Sequence, residues 1–145
     1  MRRTIRDPFV YISARMPKDV RELLAIFTGG AIGAVARVYL ARHLAGGAPA
    51  WPWPTFAANI AGAFLLGYFA TRLQERLPLS RYRRPLLGTG FCGAFTTFST
   101  FQVELVKMLD ADRIGLAVGY ASASIAAGFV AVTVATAAVR RVRLI

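Results

Sequence analysis

The chain is poor in the residues from which most catalytic and metal sites are built. It has one cysteine, Cys92, and one histidine, His43, so it can form neither an internal disulfide nor a zinc site of cysteines and histidines. Acidic residues number only 7 in 145. No nucleotide-binding or hydrolase motif and no catalytic constellation is found, so the sequence predicts a protein that is not an enzyme.

Long apolar stretches dominate instead. Hydrophobic residues make up 56% of the chain. Four stretches carry at most one charge over roughly 19 residues or more, the length that crosses a bilayer as a helix. They predict spans at about 22–43, 53–74, 84–107 and 113–139. A soluble four-helix bundle is disfavoured because each of its helices needs a polar face, and the last stretch offers only small hydroxyls.

The sequence therefore predicts an all-α membrane protein with one four-span domain, 21–145. A basic cytoplasmic tail, 1–20, precedes it and is expected to be disordered. One side of the spans holds 14 of the 18 lysines and arginines. Because these residues stay in the cytoplasm, both termini are predicted to be cytoplasmic in a multi-pass protein of the plasma (inner) membrane. We interpret the net charge of +11 as basic loops that face the anionic lipid of the cytoplasmic leaflet. No nucleic acid is expected as a partner.

Small residues recur on the spans, and Gly29 and Gly33 form a GxxxG pair on the first. Such residues let helices approach closely in a membrane. Packing within one subunit would account for most of them. Four short helices leave little room for a pathway, however, so a subunit interface is also expected.

Polar side chains inside the spans are costly and are candidates for function. Arg37 and Glu104 lie at similar depths on the first and third spans; they can form a structural pair, snorkel to the interface, or line an ion pathway. Asn59 on the second span can join helices or donate two N–H groups to an anion. Tyr120 and Ser124 share one face of the fourth span, where a bond back to a carbonyl is the simpler interpretation.

The stretch GTGFCGAFTTFSTF (88–101) suits neither a loop nor a regular helix. Its three glycines and adjacent threonines weaken a helix, and a break within a membrane is tolerated where it is buried in protein or lines a cavity. Freed carbonyls can bind a cation, and freed N–H groups or hydroxyls can bind an anion. Phe98 and Phe101 could turn their positive ring edges to an anion, although packing is the commoner role of such a pair.

This stretch, followed by the glutamate of FQVE (101–104), strongly resembles the signature of the Fluc/CrcB family of fluoride channels. The segment FTGGAIGAVARVYL (27–40) resembles the family's first span, with Arg37 at its characteristic arginine. The segment PTFAANIAGAFLLGYF (54–69) resembles the second span, with Asn59 at the asparagine of the pore vestibule. The likeness covers most of the chain.

The resemblance implies an antiparallel dimer of four-span subunits, with the third helix broken in mid-membrane and two pores that let cytoplasmic fluoride leave passively. Fluoride resistance would follow. It implies that several residues besides Asn59 line the fluoride path or a polar track beside it: Phe98, Ser99, Thr100, Phe101, Tyr120 and Ser124. It also implies a structural Na+, not transported, held by the backbone carbonyls of Gly93 and Thr96.

The charge bias departs from the simplest form of this family. An antiparallel homodimer requires one chain to insert both ways, which a bias of this size opposes. The partner is therefore either a second copy or an oppositely oriented homologous subunit, and a non-conducting partner subunit is the alternative function. A small four-span drug exporter is less favoured, because the carboxylate of the first span, Glu22, lies only at its cytoplasmic edge.

Overall fold

The computed structural model describes residues 20–44, 51–75 and 82–141, and the structural statements below concern these ranges. The predicted basic tail lies outside them except for Val20. The described residues form helices and no strand, which confirms the prediction of an all-α fold. In chain order these are α1 (Val20–His43), α2 (Trp53–Glu75), α3 (a π-helical segment, Pro85–Cys92, continued by one α-turn, Gly93–Phe95), α4 (Phe98–Asp110) and α5 (Ile114–Arg141).

Three helices, α1, α2 and α5, are long and apolar enough to cross a membrane. Their ends fall within two residues of the spans predicted at 22–43, 53–74 and 113–139. Large apolar side chains point outward from them; Phe27 is 74% exposed and Ile125 is 72% exposed. Such exposure would be unfavourable in water but suits contact with lipid. The chain is thus a multi-pass membrane protein in its architecture.

The third predicted span, 84–107, is covered by α3 and α4 with an interruption between them. Thr96 (φ −81°, ψ 157°) and Thr97 (φ −148°, ψ 118°) have extended backbone. The interruption is confined to these threonines, although the glycines nearby were also expected to weaken the helix. All three glycines of the stretch lie within helical backbone: Gly88, Gly90 and Gly93.

Helix α1 packs mainly on α3, and α2 mainly on α5. The first contact is between backbones: a Cβ atom at Gly29 would lie 2.0 Å from the carbonyl oxygen of Leu86, and one at Gly33 would lie 2.3 Å from that of Phe91. Neither approach is possible for a residue with a side chain. The GxxxG pair therefore serves packing within one chain, one of the two roles that the sequence left open.

The largest buried side chain lies where α4 and α5 meet. Tyr120 is fully buried and contacts Met108 and Ala117. Aromatic rings surround it, with ring centroids 5.1 Å away at Phe101 and 5.3 Å away at Trp51. A short turn between α4 and α5 makes the two helices antiparallel neighbours, and this packing fixes the phenol of Tyr120 at the site described below.

Replacing Gly29 by alanine should destabilise the protein. The added methyl would collide with the Leu86 carbonyl and force α1 away from α3, which should cost about 1–3 kcal/mol, as overpacking of a core does. The measurement is the thermal unfolding midpoint of the purified protein in detergent. The control is Gly115→Ala, where no atom lies within 4 Å of the new methyl; equal losses in both variants would contradict the contact.

Candidate functional site

The interruption between α3 and α4 is held by one side chain of α2. Asn59 donates through Nδ2 to the carbonyl oxygen of Thr97 (3.1 Å), and its Oδ1 accepts from the backbone N–H of Thr97 (2.8 Å). The amide thus pairs with both backbone groups of Thr97, as a neighbouring strand would. Since an asparagine amide has two N–H groups, one of them is still available to a further acceptor.

Thr97 also begins α4. Its Oγ1 accepts from the backbone N–H of Thr100 (3.2 Å) and donates to the hydroxyl of Thr100 (2.9 Å), while the Ser99 hydroxyl lies 3.3 Å away. This is the arrangement of a helix N-cap. The sequence did not mark Thr97 as a site residue, although a threonine directly before an apolar helical stretch is the usual signal for a cap.

Glu104 joins three helices. Its Oε1 accepts from the hydroxyl of Thr55 on α2 (2.6 Å), and its Oε2 accepts from the hydroxyl of Tyr120 on α5 (2.8 Å). Both oxygens of the carboxyl group are therefore satisfied by hydroxyl donors. Thr55 was not singled out from the sequence, because its neighbours on α4 and α5 are distant along the chain and no local pattern reveals them.

Arg37 does not pair with Glu104, so the structural pair that the sequence allowed is not formed. The Nε of Arg37 is buried and has no hydrogen-bond partner among the described residues. A cavity of about 240 Å³ lies beside it. Besides Arg37, the polar side chains in its wall are those of Thr55, Thr97 and Thr100. A guanidinium whose Nε is buried and that has hydroxyls around it is an electrostatic environment that favours an anion or ordered water.

A second cavity, of about 510 Å³, lies against the C-terminal end of α3. Asn59, Gly93, Thr96 and Thr97 line it, together with the ring of Phe98. Thr97 belongs to the walls of both cavities, so both border on the interruption. The two residues proposed for a cation, Gly93 and Thr96, thus share one cavity with Asn59.

Phe98 and Phe101 stack on each other, with ring centroids 6.1 Å apart. Their surroundings differ. Phe101 packs into the cluster around Tyr120, whereas the side chain of Phe98 is 71% exposed. Within one chain, therefore, the two rings do not enclose a path, and the outer face of Phe98 is free for another surface.

The predicted polar residues are divided between two situations. Ser99, Thr100 and Tyr120 take part in hydrogen bonds within the chain. The hydroxyl of Ser124 is buried and no partner for it is found in the described ranges, so it does not make the bond to a carbonyl that was the simpler interpretation. One buried hydroxyl is thus left free to donate.

Removing one hydroxyl donor from Glu104 should destabilise the contact between α2, α4 and α5. For Tyr120→Phe and for Thr55→Val we expect losses of roughly 1.5–3 kcal/mol each, the range for hydrogen bonds to charged groups. Unfolding midpoints of the two variants and of the double variant give a double-mutant cycle. The two losses should be non-additive because both donors bind one carboxyl group.

The matched control is Thr133→Val on α5, whose exposed hydroxyl donates to the Val130 carbonyl of its own helix. Its unfolding midpoint should change little. Strict additivity of the Tyr120 and Thr55 losses, or a loss at Thr133 as large as either, would contradict a shared role at Glu104.

Comparison with known proteins places this geometry in context. A family model described as CrcB-like protein, Camphor Resistance (CrcB), matches residues 24–136. The fluoride-specific ion channel FluC 1 of Mycolicibacterium paratuberculosis is 63% identical over 126 residues, which are 87% of this chain and 96% of that protein. The protein of the same name from Mycobacterium bovis is 58% identical over the same shares. The fluoride-specific ion channel FluC of Phenylobacterium zucineum is 40% identical over 125 residues, 85% of this chain and 98% of its own.

Proposed function

The chain belongs to the CrcB family, and we propose that it is a fluoride-selective ion channel through which cytoplasmic fluoride leaves the cell passively, conferring fluoride resistance. The observation that carries this proposal is the 63% identity, over nearly the whole chain, to a protein named as a fluoride-specific ion channel. Its relatives are named as channels, so the chain is not an enzyme. The sequence contains no nucleotide-binding motif that would drive a pump, so conduction follows the gradient.

We propose four membrane crossings, with α3 and α4 together forming the third. The interruption at Thr96 and Thr97 then lies within the membrane, where backbone groups need partners, and Asn59 supplies two of them. Both termini face the cytoplasm at the plasma membrane. The bias of lysine and arginine to one side of the spans supports this orientation.

Fluoride can enter such a path only if protein groups replace its hydration, because burying a small bare ion costs on the order of 20 kcal/mol in an idealised estimate. The donors proposed for this purpose are the guanidinium of Arg37, the second N–H of Asn59 and the hydroxyls of Ser99, Thr100 and Ser124. Tyr120 is proposed to lie along the path, with its own O–H donated to Glu104. The buried and unpartnered Nε of Arg37 and hydroxyl of Ser124 support this assignment. The ring edges of Phe98 and Phe101 add weakly positive surface. Glu104 sits beside the path and holds Thr55 and Tyr120.

The pathway is proposed to be completed by a second subunit in antiparallel orientation. Two features support this: the ring of Phe98 is largely uncovered in one chain, and the 510 Å³ cavity next to it is open along the interruption. A dimer partner over this face would cover both. The partner is a second copy of this chain or a homologous subunit inserted the opposite way.

We propose that a structural Na+ occupies the same cavity. Gly93 and Thr96 both line it, and they lie at the C-terminal end of α3, where the last carbonyls of a helix lack helical donors. Carbonyl oxygens of this kind are ligands for alkali cations. When bound, the ion would supply a fixed positive charge at the dimer interface. Two carbonyls from one chain are too few ligands for it, so the partner subunit is expected to supply the others.

A non-conducting subunit of a heterodimeric channel is the second candidate function. The charge bias favours it, because a chain that inserts in one orientation needs a partner that inserts in the other. A drug exporter is less favoured, because the carboxyl group of Glu104 is already bound by two hydroxyls.

Purified protein in liposomes should release fluoride, measured with a fluoride electrode, and should release chloride far more slowly. Phe98→Ile and Phe101→Ile should each reduce fluoride release at least about tenfold while the dimer persists, because an aliphatic side chain has no positive ring edge. The matched control is Phe129→Ile, an exposed phenylalanine of α5, which should conduct normally. If the unaltered dimer gives no fluoride flux, the channel function fails for this chain alone. Unchanged flux in both site variants would show that the rings only pack.

Expression of this chain by itself tests the identity of the partner. A chain with one fixed orientation should give little antiparallel dimer unless an oppositely oriented homologue is expressed with it. Orientation can be read by labelling single cysteines introduced in the loops, in a Cys92→Ala background. A well-behaved, conducting antiparallel dimer of this chain alone would overturn the requirement for a second gene product.

A further inference from the structure

We infer that Asn59 and Thr97 are positioning residues for the cation site, because their side chains bind the two backbone N–H groups that would otherwise occupy the carbonyl oxygens of Gly93 and Thr96. The identity of the ion comes from the function proposed above, so this role rests on that function. What the two side chains do to the backbone follows from the hydrogen bonds alone.

The geometry of an α-helix identifies the N–H groups concerned. In an unbroken helix the N–H of residue i+4 donates to the carbonyl of residue i. The carbonyl of Gly93 would therefore accept from Thr97, and the carbonyl of Thr96 would accept from Thr100. Each carbonyl remains available to a cation only while its N–H donor is bound elsewhere.

Both donors are bound elsewhere in this structure. The N–H of Thr97 donates to Oδ1 of Asn59 (2.8 Å), and the N–H of Thr100 donates to Oγ1 of Thr97 (3.2 Å). Outside the regular helices, no other hydrogen bond to the carbonyls of Gly93 or Thr96 is found in the ranges that the structure describes. The side chain of Asn59 therefore leaves the carbonyl of Gly93 free, and the side chain of Thr97 leaves the carbonyl of Thr96 free.

The amide of Asn59 is well placed for this role. Its second contact, from Nδ2 to the carbonyl of Thr97, fixes which end of the amide faces the N–H. Thr97 is 9% exposed, so water is a poor substitute for either partner. The close approach of α2 depends on Gly62, where a Cβ atom would lie 2.1 Å from Cγ2 of Thr96. A glycine one turn from Asn59 therefore lets the amide reach the interruption.

The two side chains also give the N–H groups at the interruption partners that come from the protein itself. The amide of Asn59 accepts the hydrogen bond that the Thr97 N–H would donate within a helix. The hydroxyl of Thr97 does the same for the N–H of Thr100. The freed groups are then carbonyls, which attract cations, and not N–H groups, which attract anions. A cation site and an anion path can thus share Thr97 without competing for the same atoms.

The test compares Thr97→Val with Thr97→Ser in the purified dimer. Valine has nearly the same shape but lacks the hydroxyl, so the Thr100 N–H should return to the Thr96 carbonyl; serine keeps the hydroxyl and the cap. The readout is the unfolding midpoint as Na+ replaces a large organic cation. Thr97→Val should need about tenfold or more Na+ for half of the stabilisation, the change that accompanies loss of one good ligand. Thr97→Ser should stay within about threefold of the unaltered protein.

Asn59→Leu tests the second carbonyl in the same way, with the same expected shift and with partial recovery of the dimer at high Na+. A variant that is destabilised without any change at the cation site would keep the Na+ midpoint of the unaltered dimer, because Na+ stabilises every dimer that binds it. Should Thr97→Val yield no dimer at low Na+, the Na+ concentration that gives half of the maximal dimer yield replaces the unfolding midpoint as the readout. An unshifted Na+ dependence in Thr97→Val and Asn59→Leu, or a shift in Thr97→Ser as large as that in Thr97→Val, would overturn the inference.

Phe101→Ile separates this inference from the proposed function, because Phe101 packs in the Tyr120 cluster and does not line the cation cavity. It should lose fluoride flux and keep the Na+ dependence of its unfolding. A Na+ shift in Thr97→Val in a protein that conducts no fluoride would leave the positioning role intact and refute the channel. Fluoride flux without any Na+ stabilisation of the unaltered dimer would leave the channel function intact and refute the positioning role.

Discussion

The pairing of the Asn59 amide with the backbone of Thr97 is the interaction on which the rest of this structure depends. A chain that leaves its helix within a membrane exposes N–H and carbonyl groups that lipid cannot satisfy, at a cost of several kcal/mol each. The amide of Asn59 meets one N–H and one carbonyl at once. Without it the extended residues Thr96 and Thr97 would be driven back into a continuous helix, and neither adjoining cavity would keep its shape.

The surrounding helices hold this pairing in place through contacts of two kinds. Backbone contact at Gly29 and Gly33 seats α1 against α3, which fixes the segment that ends at the interruption. Glu104 then ties α4 to α2 and α5 through the hydroxyls of Thr55 and Tyr120. The segments before and after the interruption are thus attached to different neighbours, so α2, which carries both Asn59 and Thr55, aligns them. A polar cluster in lipid is held more firmly than in water because its groups have few alternative partners.

The same arrangement keeps opposite charges apart. Arg37 is not neutralised by Glu104, whose oxygens are already satisfied, and its Nε stays buried and unpartnered. One side of Thr97 therefore borders a cavity with a cationic side chain, and the other borders a cavity lined by Gly93 and Thr96, the residues proposed to hold a cation. The proposed second subunit would cover the exposed ring of Phe98 and the open cavity beside it. The bias of basic residues to one side makes the orientation of that proposed subunit the main physical question about the assembly.

Sequence alone determined the long apolar helices, their ends to within two residues, and the motif that identifies the family, because these depend on local composition and on residues that are consecutive in the chain. It also marked Asn59, Phe98, Tyr120 and Glu104, since polar or aromatic residues in such places are conspicuous. Tertiary structure alone decided that Arg37 and Glu104 do not pair, that the GxxxG glycines pack within the chain, and that Thr55 and Thr97 belong to the site. Each of these depends on which atoms of distant segments come within hydrogen-bond reach, and that is set by helix packing and not by any pattern along the chain.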